Sequence, residues 1–389
     1  MHEATQVRDR WFITAEGRAL ILVTAVLSAF GLATLYSASS IVAMKEEHAN
    51  YYYLLRQFEG FLAGVVVFAL AAKVDADKLQ RWAWPMVWIT MLLMLVTVLP
   101  FTRTIAPSIN GSRRFLFGAS LQPSELGKVA VVVWCSMLVL KKGEQMRRLT
   151  KGLLPFLVII GVLDLLAFFQ PDLSVAMMYT LLMGIILFAA GVRIGHFVLL
   201  GMLATPLLWQ QVMRKQYALA RILSFMGSGD APVVVNGQLE QSLIAVGSGG
   251  ALGKGFANGL QQYGWVPMGI NDFIASNVGE EWGFLGITFL VFAFAAYGWL
   301  GFRIARQARS PFLHLVAIGL TATTIITAYL HIGVVLGLLP TTGLTLPFVS
   351  YGRSNLLLSL ATTGILVNIG SVKERVYGTR ATDPLVARA

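Results

Sequence analysis

Three carboxylates, Asp272, Glu280 and Glu281, stand in the stretch GWVPMGINDFIASNVGEEWG (264–283), between two apolar runs of membrane-spanning length. Unless paired or wetted, a charged side chain in a lipid-embedded chain costs about 3 kcal/mol or more, so three in one connection mark chemistry rather than packing. The segment reads as non-helical. A second set supplies the opposite sign. Asn110-Gly-Ser-Arg-Arg114 joins a turn to two adjacent guanidinium groups, Arg113 and Arg114, a pattern suited to gripping phosphate or pyrophosphate through charge-assisted hydrogen bonds. The plainer alternative is a solvated turn resting on lipid headgroups.

Further ionisable residues fall inside the apolar runs. Glu125 and Lys128 are three apart on one helix face, just after Gln122-Pro123-Ser124, and so are neighbours by helical spacing. They read either as an ion pair that fixes helix packing or as part of a substrate-facing surface. Asp172 follows Pro171 at a helix start, where free backbone amides and the macrodipole favour a carboxylate, so a cap is the simplest role. Arg56 and Glu59, also three apart, read as a structural pair, and Asp164, without a partner nearby in sequence, as a hydrogen-bonded or protonated side chain.

The elements that must position these groups are membrane helices. With 56% hydrophobic and 13% charged residues and a mean hydropathy of +0.70, the chain is too apolar for a soluble domain. Ten apolar runs, near 18–40, 52–73, 82–101, 122–140, 152–169, 172–190, 194–212, 283–302, 311–337 and 347–371, suit a hydrocarbon core of about 30 Å. The expectation is an all-α polytopic membrane protein of about ten transmembrane helices, one domain over 1–389. Only Gln170-Pro171-Asp172 separates the fifth run from the sixth, and proline after a polar residue breaks a helix there. The one long connection, 213–282 between spans seven and eight, is too large to be passive.

Positive charge sets the orientation. With the N-terminus inside, nineteen Lys and Arg residues fall on the cytoplasmic side and nine on the other. Both termini are therefore expected in the cytoplasm and the 213–282 loop outside it. The net charge of +11 is a topology signal, and none of the short loops offers the basic face that nucleic-acid binding needs. The charged lead with Glu3, Asp9 and Glu16, followed by a run of full span length, reads as a retained anchor rather than a cleaved signal peptide. Cys135 is alone and says nothing about compartment.

Two tempting motifs fail on spacing. The run Gly247-Ser-Gly-Gly-Ala-Leu-Gly-Lys-Gly255 has Ser248 where a P-loop needs glycine and Gly255 where it needs Ser or Thr; Leu252 and Asn258 break the dinucleotide fingerprint. Tight turns packed at the membrane surface account for it better. The five histidines show no metal-ligand spacing.

Taken in order, NGSRRFL (110–116), QPSELGK (122–128), QPDLS (170–174), QSLIAVGSGG with GKG (241–255), NDFIASNVGEEWGFLG (271–286) and GLLPTTGLTLPFVSYG (337–352) resemble the SEDS family of bacterial cell-wall proteins. The resemblance covers nearly the whole chain and is closer to the division member, FtsW, than to the elongation member, RodA. The chain departs from the family's usual Thr-Asp-Phe-Ile-Phe at Asn271-Asp272-Phe273-Ile274-Ala275, and carries Arg353-Ser354-Asn355 where a small-residue pair is usual.

The resemblance implies a peptidoglycan glycosyltransferase of the bacterial cytoplasmic (inner) membrane, polymerising lipid II for septal wall synthesis. The 4-hydroxyl of an acceptor sugar must lose a proton as it attacks the donor's anomeric carbon, and one positioned carboxylate, Asp272, would take it. The leaving group is a lipid pyrophosphate, so cations replace the second carboxylic acid of a glycosidase. Arg113, Arg114 and Lys128, or a divalent ion such as Mg or Mn, would supply that charge. Glu125, Asp172, Glu280, Glu281, Ser350 and Tyr351 complete the expected substrate-binding set. One of Glu280 and Glu281 would orient the loop or hold a cation, and the other would cap the following span. The implied partners are a class B penicillin-binding protein transpeptidase, other division proteins and membrane lipids. Rival readings are a RodA-like elongation polymerase, a transporter that flips lipid II, and a non-catalytic division scaffold.

Overall fold

The computed structural model describes residues 6–102, 104–108, 112–117, 121–147, 149–193, 195, 197, 201–202, 219–221, 225, 233–265 and 269–378. Most of the expected span near 194–212 lies outside these residues, as do Arg103, Asn110, Gly111, Arg214, Lys215 and Met268.

The apolar runs fold into antiparallel neighbours joined by short connections: α1 (Ala15–Lys45), α2 (Tyr52–Lys73), α3 (Leu79–Val98), α4 (Pro123–Lys142), α5 (Leu154–Phe169) and α6 (Leu173–Ala189). After α7 (Val233–Gly249), which belongs to the long connection, come α8 (Ile274–Arg306), α9 (Pro311–Val335) and α10 (Arg353–Ile369). Among the described residues seven helices are long and apolar enough to cross a membrane, α6 is a shorter apolar helix of 17 residues, and α10 has 17 residues as well. Local chemistry starts them. Thr14 and Ser310 accept from Gly17 N and Leu313 N at 3.3 Å, and Pro123 and Pro311 occupy first-turn positions where a missing N–H costs nothing.

Helix α4 is the axis of the bundle, with 89% of its apolar window buried against 17% for α2. Its flank takes α3, α6 and α9; α8 lies along α9 and α1, and α10 lies along α2. Helices α1, α3, α5 and α9 finish, and α2, α4, α6, α8 and α10 begin, at one end of the bundle. The loops at that end form the candidate site.

The all-α polytopic bundle is as expected, and three details differ within it. A short ribbon accompanies the helices, in which β1 (Gln6–Ile13) pairs antiparallel with β2 (Ser371–Gly378). The register sets Gln6 opposite Gly378 and Ile13 opposite Ser371. The last span starts only at Arg353, because Pro347 and Gly352 interrupt the apolar run and 340–352 is not helical.

The third correction concerns 264–283: the non-helical reading ends at Phe273, and Ile274–Trp282 is already helix, with Ile274, Ala275 and Val278 buried. Nothing in IASNVGEEW forbids a helix once the bundle covers those apolar positions. The non-helical residue is Gly283, at φ 62° and ψ −153°, a conformation essentially reserved for glycine, which splits α8 into a short and a long piece.

Candidate active site

Asp272 stands two residues ahead of α8, half-buried between two guanidinium groups. Gly343, at φ +74°, passes so close that a Cβ there would lie 3.5 Å from both Asp272 Oδ2 and an Arg221 terminal nitrogen. Carboxylate and guanidinium thus flank the same glycine. From the other direction Arg114 Nη1 approaches Asp172 Oδ2 at 3.5 Å, while the buried Arg114 Nε–H has no acceptor. Asp172 Oδ1 caps α6 by accepting from Val175 N at 3.2 Å, so the cap reading holds and the residue meets Arg114 as well.

These charges tune one another. Burial pushes the Asp272 carboxyl above the ordinary aspartate range; Arg114 and then Arg221 pull it back, and Asp172 adds to the rise. A carboxylate so balanced is a suitable proton acceptor, with cations beside it for a developing anion.

The backbone around Asp272 is pinned from the 340–352 loop. The Ser350 hydroxyl donates to Asn271 O at 2.6 Å and accepts from Leu346 N at 2.8 Å, and Tyr351 N donates to Ile270 O at 3.0 Å. Gln57 donates to Ser350 O and accepts from Gly352 N, both at 3.1 Å. The buried His331 Nδ1–H donates to Leu344 O at 2.8 Å, and the Ser174 hydroxyl donates to Thr342 O. Asp272 therefore sits on a strip of chain pinned by the 340–352 loop, which is itself held from α2, α6 and α9.

Several expected substrate contacts have other work. Arg113 spends its guanidinium on the turn itself, donating to Leu99 O at 2.8 Å, Ala106 O at 3.2 Å and Thr102 Oγ1 at 3.3 Å. Of the two arginines only Arg114 turns to the carboxylates. Ser350 is buried, and its hydroxyl donates to and accepts from backbone, which fixes the residue just ahead of Asp272. Tyr351 packs edge-on against Tyr53, ring centroids 5.2 Å apart. Arg56, instead of pairing with Glu59, stacks over the Tyr52 ring at 4.5 Å and hydrogen-bonds Tyr351.

Glu280 and Glu281 are buried in the first piece of α8 and face the protein. Glu280 accepts from Lys254 Nζ at 2.7 Å and from the Leu260 and Gln261 amides at 2.9 and 3.0 Å; Glu281 accepts from the Ser37 hydroxyl and the Ala257 amide. Donors from the loop that follows the glycine-rich run occupy both oxygens of Glu280, whereas Glu281 keeps one buried oxygen, Oε2, without a hydrogen-bond partner.

Glu125 and Lys128 form the expected pair, Nζ to Oε1 at 2.7 Å, both buried. A cavity of about 30 Å³ beside them, large enough for a water or two, is lined by Thr323, Thr324, Thr327, Asn355, Ser359 and Thr362. The three α9 threonines donate their own protons to carbonyls four residues back, at 2.7 to 3.4 Å, which leaves oxygen lone pairs for the cavity. That lining suits an ammonium held away from bulk water. A larger groove of about 380 Å³ lies nearby, walled by Gly60, Ala63, Leu121, Leu126, Leu357 and Leu358, with Glu59, Arg353 and Ser354 among its lining. Asp164, as expected, is hydrogen-bonded, accepting from Thr180 Oγ1 at 2.8 Å.

The residues missed from sequence are Arg221, Gln57 and His331. Arg221 is one cation in a 70-residue connection and Gln57 one amide in an apolar run; each acquires its role only from contacts far along the chain. His331 lacks metal-ligand spacing and in the fold is a backbone anchor.

Comparison with known proteins bears on this geometry. The family model FTSW_RODA_SPOVE, a cell cycle protein family, matches residues 18–375. A probable peptidoglycan glycosyltransferase FtsW of Trichlorobacter lovleyi is 36% identical over 354 residues, 90% of this chain and 92% of that protein. The stage V sporulation protein E of Bacillus subtilis is 33% identical over 355 residues, 90% of this chain and 95% of that one. Among solved structures, a chain from work on structural coordination of polymerization and crosslinking by a peptidoglycan synthase complex superposes with a TM-score of 0.73 at 25% identity, covering 90% of this chain and 96% of that one. The crystal structure of the Thermus thermophilus rod shape determining protein RodA shares the fold at a TM-score of 0.63 and 22% identity, covering 90% of this chain and 95% of that one. With the match running from the first span to the tail ribbon, the chain belongs to the FtsW/RodA/SpoVE family of cell cycle proteins.

Proposed function

We propose that this chain is a peptidoglycan glycosyltransferase that polymerises lipid II for septal wall synthesis, with Asp272 as general base. The observation that carries the reading is the placement of one half-buried carboxylate between Arg221 and Arg114 on a strip of backbone pinned by Ser350 and Tyr351 of the 340–352 loop. Asp272 accepts the proton of the acceptor 4-hydroxyl as that oxygen attacks the donor's anomeric carbon from the face opposite the pyrophosphate, so an α-linked donor yields a β-linked polymer. The bond to the pyrophosphate oxygen breaks, and the lipid pyrophosphate departs as an anion that needs countercharge rather than a proton. Arg114 and Arg221 supply it. The leucine-walled groove beside Arg353 suits part of the prenyl chain. Among the described residues no three His, Cys, Asp or Glu side chains gather; a divalent ion such as Mg or Mn, the alternative source of that countercharge, would be held by one or two carboxylates together with the pyrophosphate itself.

The names of the FtsW relatives support the septal assignment. Likeness to a chain of a peptidoglycan synthase complex supports a transpeptidase partner of the class B penicillin-binding type, working with other division proteins. The tail ribbon, which brings both ends of the described chain to one side, and the basic bias of that side support cytoplasmic termini in the bacterial inner membrane.

The experiment is purified protein in lipid with labelled lipid II, with and without the transpeptidase. Glycan polymer that disappears in Asp272→Asn upholds the reading. Movement of lipid II between leaflets with no polymer overturns it in favour of a transporter.

A further inference from the structure

The break at Gly283 interrupts the hydrogen-bond ladder of α8, and the glycine-rich loop that resembles no nucleotide motif is spliced into the gap. Phe284 N donates to Gly250 O at 2.9 Å and Leu285 N to Ala251 O at 3.3 Å; in the other direction Lys254 N donates to Glu280 O at 2.9 Å and Gly255 N to Glu281 O at 3.0 Å. The loop thus replaces bonds that a continuous helix would make for itself. One side chain fastens the arrangement. Glu280, only 1% exposed, gathers Lys254 Nζ, the Leu260 amide and the Gln261 amide on its two oxygens, with Ser248 Oγ at 3.5 Å. The charge of Lys254 matches that of the carboxylate, so the clamp is neutral as well as saturated.

The short piece Ile274–Trp282 carries Asp272 just ahead of its first turn, and Asp272 is otherwise fixed by the Ser350 and Tyr351 contacts to Asn271 and Ile270. We infer that Glu280 is a positioning residue for the reaction: by clamping the loop around Lys254–Gln261 onto the short helix, it sets where Asp272 stands relative to Arg221 and Arg114. The inference rests on the proposed role of Asp272. Misplacing a reacting group by about 1 Å costs on the order of a hundredfold in rate.

The test uses the full-length protein in lipid nanodiscs. Glu280→Gln keeps the volume but turns one acceptor into an N–H donor facing lysine and amides; Lys254→Met, a milder variant, removes one leg of the clamp and serves if the first fails to fold. The expected result is faster hydrogen exchange across 269–282 with the rest of the bundle unchanged. Polymerisation should show kcat lower by roughly tenfold or more and KM within about twofold, with a displaced acid limb of the pH profile. Unchanged exchange at 269–282 overturns the inference, as does raised exchange with kcat and pH profile intact. A raised KM at unchanged kcat overturns it in favour of a substrate contact. Asp272→Asn is run alongside: activity there removes the base reading but not the clamp, which the exchange measurement then decides alone.

Discussion

Arg114 reaches Asp172 at 3.5 Å and keeps its buried Nε–H without an acceptor, whereas its neighbour Arg113 turns Nε and Nη2 to the carbonyls of Ala106 and Leu99 and the hydroxyl of Thr102. Two adjacent residues of one type thus divide between the carboxylates Asp172 and Asp272 and the backbone of their own turn. Arg113→Lys should lower stability by about 1–3 kcal/mol through orphaned acceptors while leaving the KM for lipid II near wild type. Arg114→Lys should raise that KM, because a point charge replaces a planar fork. Thermal unfolding and lipid II titration of both variants check the split; the reverse pattern refutes it.

Asp272→Asn should lower polymerisation by roughly a hundred- to ten-thousand-fold with folding and insertion intact, since the amide keeps the shape and loses the proton acceptor. Gel analysis of glycan product from well-folded variant measures it, and near wild-type yield refutes the assignment.

The pH dependence follows from the charges around that carboxylate. Only ionised Asp272 accepts a proton, so activity falls as pH drops through its pKa, which burial holds above the ordinary aspartate range. Arg114 lowers that pKa, so Arg114→Gln should move the acid limb of kcat/KM to higher pH. Asp172 raises it, so Asp172→Asn should move the limb to lower pH. Shifts of the same sign in both variants would contradict the arrangement.

Lys128→Ala should cost about 3–5 kcal/mol, because it strands Glu125 among apolar helices. The double change Glu125→Gln with Lys128→Met separates packing from chemistry. Recovered unfolding temperature with lost polymerisation assigns the pair to substrate, and recovery of both assigns it to structure.

Gly283→Ala should destabilise by about 1–3 kcal/mol from backbone strain alone, since φ 62° with ψ −153° excludes a Cβ. The new methyl would also lie 2.8 Å from the Ala251 carbonyl. Thermal unfolding in detergent reads this directly, and a neutral result would show that the loop yields easily.

Much of the bundle was legible because lipid imposes length and apolarity on each span. The second run was expected at 52–73 and is Tyr52–Lys73; the sixth was expected at 172–190 and is Leu173–Ala189, set by Pro171 and the Asp172 cap. Asp272 was legible from its charge. What stayed hidden depends on contacts across the chain: Ser350 to Asn271, 79 residues apart, or Gln57 to Ser350, 293 apart, carries no local pattern. The helix Ile274–Trp282 was misread because its polar carboxylates suggest a solvated loop, and only the fold reveals the donors waiting for them. The strands at either end went unread since each finds its partner some 365 residues away.

That terminal ribbon makes the polypeptide nearly a closed circle. Gln6 lies opposite Gly378, so the first and last spans are laced together like the two ends of a belt. Joining Gly378 to Gln6 through a short linker would strain the native fold little, because folding has already brought them together, while it would take closure entropy from the unfolded chain. A circular permutant opened in a tail-end connection such as that between α8 and α9 should keep the bundle, and every loop around Asp272, in place.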